Sequence, residues 1–129
     1  MNCAYVDSSC LVAIAFEEPG YRDLIEQLES YHELFASTLL EAEFRSALVR
    51  EGMPGDAEML NVISWIVPHR PLSSEITQVL SYGYLRGADL WHLACALFLA
   101  PSPRELCFAS LDNLQLQVAQ RLGFPPAGD

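Results

Sequence analysis

The segment LRGADLWHLACALFLA, residues 85–100, is apolar almost without interruption after Asp89. A helix that is apolar nearly all round must be buried on more than one side, as a central helix packed on a sheet is. The segment is too short to span a bilayer and contains Asp89 and His92, so it is interpreted as a core helix. Asp89, His92 and Cys95 follow one another at intervals of three residues and therefore share one stripe of that helix.

Asp89 and His92 each allow two interpretations at this point. Asp89 is either a cap or first-turn acid, favoured by the free amides and dipole of the helix, or part of a site whose other members lie elsewhere. His92 is interpreted as a buried structural histidine that hydrogen-bonds near Asp89 or the adjacent backbone. An ionised carboxylate at the mouth of an apolar helix is costly unless its charge is compensated, so Asp89 needs partners.

The composition predicts one globular α/β domain over residues 1–129. With 129 residues and 51% hydrophobic content, the chain is long enough to bury a core. Helical patterns alternate with short apolar runs, which indicates a mostly parallel sheet. No basic residue precedes the first apolar run, and no apolar span reaches membrane length, so a cytoplasmic protein without a leader is expected. The four cysteines form no CxxC pair and are interpreted as small buried hydrophobes in a reducing compartment.

The charge balance is acidic, with 17 acidic residues against 7 basic ones and a net charge of −10. Every basic residue is arginine, and the chain contains no lysine. Phosphate binding by a P-loop is therefore excluded, because that motif requires lysine. Non-specific adhesion to nucleic acid is disfavoured, since it depends on net positive charge.

The periodicity of apolar residues predicts the elements of the remaining chain. Strands are expected at 4–6, 33–36 and 106–109, with a short edge strand at 66–67 beside two prolines. Helices are expected at 10–16, 19–30, 38–51, 57–65, 73–85 and 113–122. The proline-rich tail, 124–129, is predicted to form no more than a residual strand.

Three further acids occupy positions where parallel α/β sheets place ligands. Asp7 follows the first strand and Asp112 follows the last one, although each could simply cap the next helix. On the helix 38–51, Glu43 has apolar neighbours one turn away on both sides and is predicted to point inward, whereas Glu41 is predicted to be solvated. Four acids meeting at one edge would repel one another unless they bound a hard divalent cation, magnesium or manganese. Such sites activate water and shield phosphate in metal-dependent nucleases.

The motifs around these acids resemble a PIN-domain ribonuclease of the VapC toxin type. The matching segments are YVDSS, STLLEAEFRSAL, LRGADLWHLACA, FASLDN and AQRLGFP, which occur in the family's order. The resemblance implies a three-layer fold with a parallel sheet of order 3-2-1-4-5. It also implies a homodimer that pairs with a small antitoxin, and a magnesium (or manganese) site that acts on RNA. The implied metal-site and catalytic acids are Asp7, Glu43, Asp89 and Asp112, with Ser9, Ser110 and His92 in support.

Two features depart from the family pattern. Few residues follow Gly123, so the fifth strand is expected to be short or absent. The acidic composition also leaves little basic surface for RNA, for which the candidates are Arg45, Arg50 and Arg86. Surface ion pairs are an equally good interpretation of these three arginines.

Three functions therefore compete at the level of sequence. The first is a magnesium-dependent endoribonuclease acting as the toxin of a type II toxin–antitoxin pair. The second is a PIN-like scaffold that binds partners without cleaving. The third is another metal-dependent phosphohydrolase; phosphatases and receiver domains with an Asp nucleophile depend on a lysine and are disfavoured by its absence.

Overall fold

Four short strands form one parallel sheet in the computed structural model, which describes residues 2–55 and 57–128. The strands are β1 (Cys3–Val6), β2 (Glu33–Ser37), β3 (Ile63–Ile66) and β4 (Cys107–Ala109), in the order β3-β2-β1-β4. The helices are α1 (Ser8–Ala15), α2 (Tyr21–Glu29), α3 (Thr38–Arg50), α4 (Ser73–Leu80), α5 (Gly87–Leu99) and α6 (Asn113–Leu122). Three residues lie outside the described part of the chain: Met1, Asp56 and Asp129. They include both ends of the predicted domain and the last residue of the predicted tail.

The sheet separates two apolar cores, so the fold has three layers. Side chains alternate along each strand: Tyr5 packs into the core that contains α4, α5 and α6, whereas Val6 packs into the one that contains α1, α2 and α3. In β4, Phe108 and Ala109 divide between the two cores in the same way. The predicted α/β fold with a parallel sheet is confirmed.

The central position of α5 is also confirmed. Its residues 92–97 are all buried, and the helix packs against α4, α6 and β2. The helix therefore contacts neighbours on more than one side, as its nearly continuous apolar sequence requires.

The segment 57–65, predicted as an α-helix, forms a short 3₁₀ helix followed by most of a strand. A short 3₁₀ helix covers Glu58–Val62, and the chain then enters β3, which pairs with β2. Within β3 the end residues Ile63 and Ile66 are buried and Trp65 is exposed. Pairing with β2 outweighs the weak local helical preference, because strand formation depends on neighbours distant in sequence. The predicted edge strand exists, but it begins three residues before 66.

The helix predicted over 73–85 ends earlier, at Leu80. The chain then turns against α6, where the Arg121 guanidinium donates a hydrogen bond to the Tyr82 carbonyl at 3.1 Å. A Cβ at Gly83 would lie 2.9 Å from the Val118 side chain, so only glycine fits without a shift there. The chain after Leu80 thus packs closely against α6 instead of continuing as a helix.

The described part of the tail, 124–128, contributes a single parallel bridge, between Phe108 and Pro126, beside β4. The Phe108 amide donates to the Pro125 carbonyl at 2.9 Å, and the Ala127 amide donates to the Phe108 carbonyl at 3.4 Å. This agrees with the expectation that the fifth strand is short or absent. Within 2–55 and 57–128, no helix is long and apolar enough to cross a membrane.

Two cysteines are expected to resist thiol reagents in the native protein. Cys10 and Cys95 are fully buried, and burial raises the pKa of each thiol to about 12. Because the thiolate is the reactive form, iodoacetamide at pH 8 should label neither residue before unfolding. Cys107, which is half-buried, serves as the accessible comparison. Mass spectrometry of native and denatured samples measures this, and rapid native labelling of Cys95 would contradict it.

Candidate active site

Asp7 lies between the end of β1 and the beginning of α1. It is the N-cap of α1, and its Oδ2 accepts a hydrogen bond from the Ser9 amide at 3.1 Å. Its own amide donates to the Ala109 carbonyl at 2.9 Å, which ties β1 to the end of β4. The side chain is nearly buried, and its Oδ1 lies 3.4 Å from Nε2 of Gln115.

Asp112 caps α6 in the same manner, since its Oδ1 accepts from the Gln115 amide at 3.0 Å. The Asp112 amide donates to the Ser110 hydroxyl at 3.0 Å, and the Leu111 amide donates to the Ser9 hydroxyl at 3.0 Å. The Ser9 hydroxyl thus ties the start of α1 to the loop after β4, and Ser110 holds that loop from within. Capping is a correct interpretation of Asp112, as it is of Asp7, but it does not account for their proximity.

Asp89 is not the cap of α5. The N-cap position belongs to Arg86, and Asp89 lies in the first turn. Burial raises the pKa of Asp89, and the negative charges of Asp7 and Asp112 raise it further, with a smaller contribution from Glu43. The Asp89 carboxylate therefore lies within electrostatic reach of the other three, although the four acids come from separate parts of the chain.

Glu43 is the inner acid of α3, as predicted. Its Oε1 is 2.7 Å from Nε2 of His92, and its side chain is 30% exposed. Burial pushes the pKa of Glu43 upward, but hydrogen bonds from His92 and Ser8 and the attraction of His92 leave it below its usual value. Glu41 instead pairs with Arg45 on the outside of the helix, at 2.7 Å.

His92 has partners that the sequence did not predict. It is fully buried; Nδ1 lies 2.6 Å from the Tyr5 hydroxyl, while Nε2 contacts Glu43 and lies 3.8 Å from Oδ1 of Asp7. The expectation of a bond near Asp89 or the adjacent backbone is wrong, because the imidazole points away from its own helix toward β1 and α3. Burial also raises the pKa of Tyr5 far above its usual value, so the hydroxyl keeps its proton.

Gln115 is a site residue that sequence analysis missed. Its fully buried amide donates to Asp7 and, at 3.2 Å, to the main-chain carbonyl of Asp89, and it accepts from the Ser110 hydroxyl at 2.6 Å. One side chain thereby joins α1, α5 and α6. A signal was present: residue 115 shares a helical face with Val118 and Ala119, where an amide is out of place unless it has partners.

Comparison with protein families identifies this arrangement. The PIN-domain model matches residues 4–100, about three quarters of the chain. The chain belongs to the PIN-domain family. PIN domains are generally nucleases that typically use divalent metals and bind RNA, so this one belongs to a class of hydrolases. The matched range includes Asp7, Glu43 and Asp89 and ends before Asp112. No curated protein matches the chain.

The donor chemistry of this PIN domain fits a divalent cation, since carboxylate oxygens are the ligands that magnesium and manganese prefer. Among the described residues, no three His, Cys, Asp or Glu side chains are already gathered closely enough to hold a metal ion. The polar contacts instead hold the side chains of Asp7, Glu43 and Asp112 and the backbone of Asp89, and the assignment of the four acids as ligands stays a prediction.

The three arginines considered for RNA binding differ in their surroundings. Arg45 pairs with Glu41, and Arg50 lies 3.6 Å from Glu51, so both match the interpretation as surface ion pairs. Arg86 is exposed at the beginning of α5, three residues before Asp89. Arg45 is two residues from Glu43 in sequence, but its guanidinium pairs with Glu41, so Arg86 is the remaining candidate for a contact with RNA.

Proposed function

We propose that this PIN domain, comprising residues 1–129, is a magnesium- or manganese-dependent endoribonuclease and the toxin of a type II toxin–antitoxin pair. The observation that carries the proposal is a set of long-range polar contacts around the acids. The Gln115 side chain contacts Asp7 and the backbone of Asp89, and His92 contacts Glu43 and lies 3.8 Å from Asp7. A helix cap needs none of these long-range contacts.

The residues that would hold the cation are Asp7, Glu43, Asp89 and Asp112. When bound, a divalent ion supplies Lewis-acid stabilisation of the phosphate and lowers the pKa of water. The protein's part is to keep four negative charges near one another, at an electrostatic cost that the raised pKa of Asp89 reflects. A bound cation would offset this cost, because its positive charge compensates the repulsion among the carboxylates.

The neighbouring polar residues have supporting roles in this proposal. Ser9 and Ser110 hold the loops that present Asp7 and Asp112. Arg86, which is exposed three residues before Asp89, would contact a phosphate of the RNA, since guanidinium groups bind phosphate oxygens in a bidentate manner. With a net charge of −10, the protein would bind RNA locally through such contacts and the metal rather than through a broad basic surface.

Purified protein is expected to cut single-stranded RNA internally in the presence of Mg²⁺ or Mn²⁺ and to stop when EDTA is added. Glu43→Gln should reduce the rate by roughly 100-fold, because a metal ligand accounts for several kcal/mol of transition-state stabilisation. Glu41→Gln is the matched control: it lies on the same helix, but its carboxylate pairs with Arg45 outside the site. Gel mapping of the RNA fragments measures both variants.

Different results would favour the competing functions. A protein that binds neither metal ion and cleaves no RNA would be the catalytically silent scaffold. Cleavage of a DNA or small phosphodiester panel without RNA cleavage would indicate another metal-dependent phosphohydrolase. Equal loss in Glu41→Gln and Glu43→Gln would remove Glu43 from the site.

The toxin assignment and the partners need separate tests. Induction of the wild-type protein in bacterial cells is expected to arrest growth, and induction of the Glu43→Gln variant is not. Copurification of a small protein encoded beside it would identify the antitoxin, and light scattering is expected to give the mass of a homodimer. Fractionation is expected to recover the protein from the cytoplasm. Unimpaired growth with active enzyme would separate the nuclease from the toxin role.

A further inference from the structure

Three buried or half-buried side chains form a chain of hydrogen bonds across three elements. The Tyr5 hydroxyl, on β1, lies 2.6 Å from Nδ1 of His92 on α5, and Nε2 of His92 lies 2.7 Å from Oε1 of Glu43 on α3. The amide of Ser37, at the end of β2, donates to the Tyr5 hydroxyl at 3.2 Å. The Tyr5 ring is itself clamped, because it stacks on Phe108 with 5.4 Å between centroids.

The proton positions follow from what each group can donate. An ionised Glu43 can only accept, so Nε2 of His92 carries a proton. In the neutral imidazole Nδ1 is then bare, and it accepts the proton of the Tyr5 hydroxyl. That hydroxyl receives the Ser37 amide on its oxygen, which leaves its proton free for His92. Glu43 at one ring nitrogen and Tyr5, oriented by the Ser37 amide, at the other together select one tautomer of His92.

We propose that Tyr5 and His92 are positioning residues that hold the carboxylate of Glu43 beside Asp7. The inference rests on the proposed function, since it gives the relay a role in presenting Glu43 to the cation. Nε2 of His92 lies between the two acids, 2.7 Å from Glu43 and 3.8 Å from Asp7. Without that donor, the partly exposed Glu43 side chain would be free to rotate toward solvent and away from a like charge.

A purely structural role for the pair predicts something different. A buried polar chain that only filled space would affect stability but not the metal affinity or the orientation of Glu43. Groups that orient a metal ligand typically change metal affinity by about 10- to 100-fold when they are removed. Metal affinity and the His92 tautomer, measured without substrate, therefore distinguish the two roles.

The test uses three variants of the full-length protein. In wild type at pH 8, ¹⁵N NMR of the metal-free protein is expected to show His92 as the Nε2–H tautomer. In Tyr5→Phe, the ¹⁵N signals of the His92 ring should shift toward those of a tautomer mixture. Mn²⁺ binding should weaken by about 10-fold. His92→Leu should weaken it by roughly 10- to 100-fold, and His92→Gln, whose amide can still donate to Glu43, should recover most of that loss. Titration followed by Mn²⁺ electron paramagnetic resonance measures the affinities.

Leu72→Ala is the control for general destabilisation, because Leu72 is buried beside α4 and takes no part in the relay. It should lower stability and leave Mn²⁺ affinity within about twofold of wild type. The positioning role would be overturned if Tyr5→Phe bound Mn²⁺ as tightly as wild type does. It would also be overturned if His92 in wild type were the Nδ1–H tautomer. If wild type binds no Mn²⁺, the proposed metal site fails, and the tautomer alone decides whether Tyr5 and His92 orient Glu43.

Discussion

Replacing Asp89 with Asn is expected to abolish metal-dependent RNA cleavage and, at the same time, to stabilise the metal-free protein. The two side chains have the same shape, but Asn carries no charge. If Asp89 is a metal ligand, the loss of its charge should lower the cleavage rate by roughly 100-fold or more. In the absence of metal, the variant loses one member of a group of like charges. The gain in stability should stay near 1 kcal/mol or less, because water partly screens Asp89.

The gain should depend on pH in a defined direction. Burial and neighbouring acids raise the pKa of Asp89 in the folded state above its value in the unfolded chain. Its contribution to stability is therefore fully present below the unfolded pKa and is lost as pH rises through the folded pKa. Wild type and Asp89→Asn should be similar in stability in acid and should diverge as pH rises to neutrality, with Asn the more stable.

Melting curves with and without Mg²⁺ and with varied pH, beside a cleavage assay, measure these effects. Wild type should gain more from Mg²⁺ than the variant does, since a ligand at a given concentration stabilises the folded state more when it binds more tightly. If the Asp89→Asn variant cleaved RNA at the wild-type rate, Asp89 would be excluded from the site. Asn is also a good helix-capping residue, and Asp89 is not the N-cap, so loss of a cap would not explain a loss of activity.

Replacing Gln115 with Leu is expected to reduce both stability and activity. The change removes the donor to Asp7 and to the Asp89 carbonyl and the acceptor for the Ser110 hydroxyl. Each buried polar group left without a partner costs about 1 to 3 kcal/mol. Since Gln115 connects α1, α5 and α6, the carboxylate of Asp7 loses an orienting contact, and metal affinity should fall by about 10- to 100-fold.

Gln117→Leu is the matched control, because it makes the same chemical change on the same helix at an exposed position. Chemical denaturation and metal titration of the two variants give the comparison. We expect Gln117→Leu to change stability by no more than about 0.5 kcal/mol. If Gln115→Leu is as stable and binds metal as well as Gln117→Leu, then Gln115 is neither an anchor of the fold nor a support of the acids.

Features that depend on local periodicity could be predicted from sequence. The uniformly apolar pattern after Asp89 was enough to predict that α5 is central, because a helix without a polar face has no side to present to water. The inward direction of Glu43 and the outward direction of Glu41 followed from helical geometry over one turn. The buried strands before Asp7 and Asp112 placed those acids at one edge of a parallel sheet.

Features that depend on contacts between distant parts of the chain could not be predicted from the sequence. The segment 57–65 contains too few residues for a period of 2 to be distinguished from one of 3.6, and β3 exists because β2 is beside it. The segment that follows α4 approaches α6 closely at Gly83. Local sequence carries no information about either neighbour.

The polar network of the site was likewise decided only by the tertiary structure. The sequence determined which residues are acidic and which elements they follow, and so where in the fold the acids lie. It could not select Tyr5 and Glu43 as the partners of His92, which are 87 and 49 residues away in the chain. It also did not indicate that Gln115 bridges Asp7 and Asp89. Side-chain hydrogen bonds require atoms to meet within about 3 Å, and only the packing of the helices on both faces of the sheet brings these atoms together.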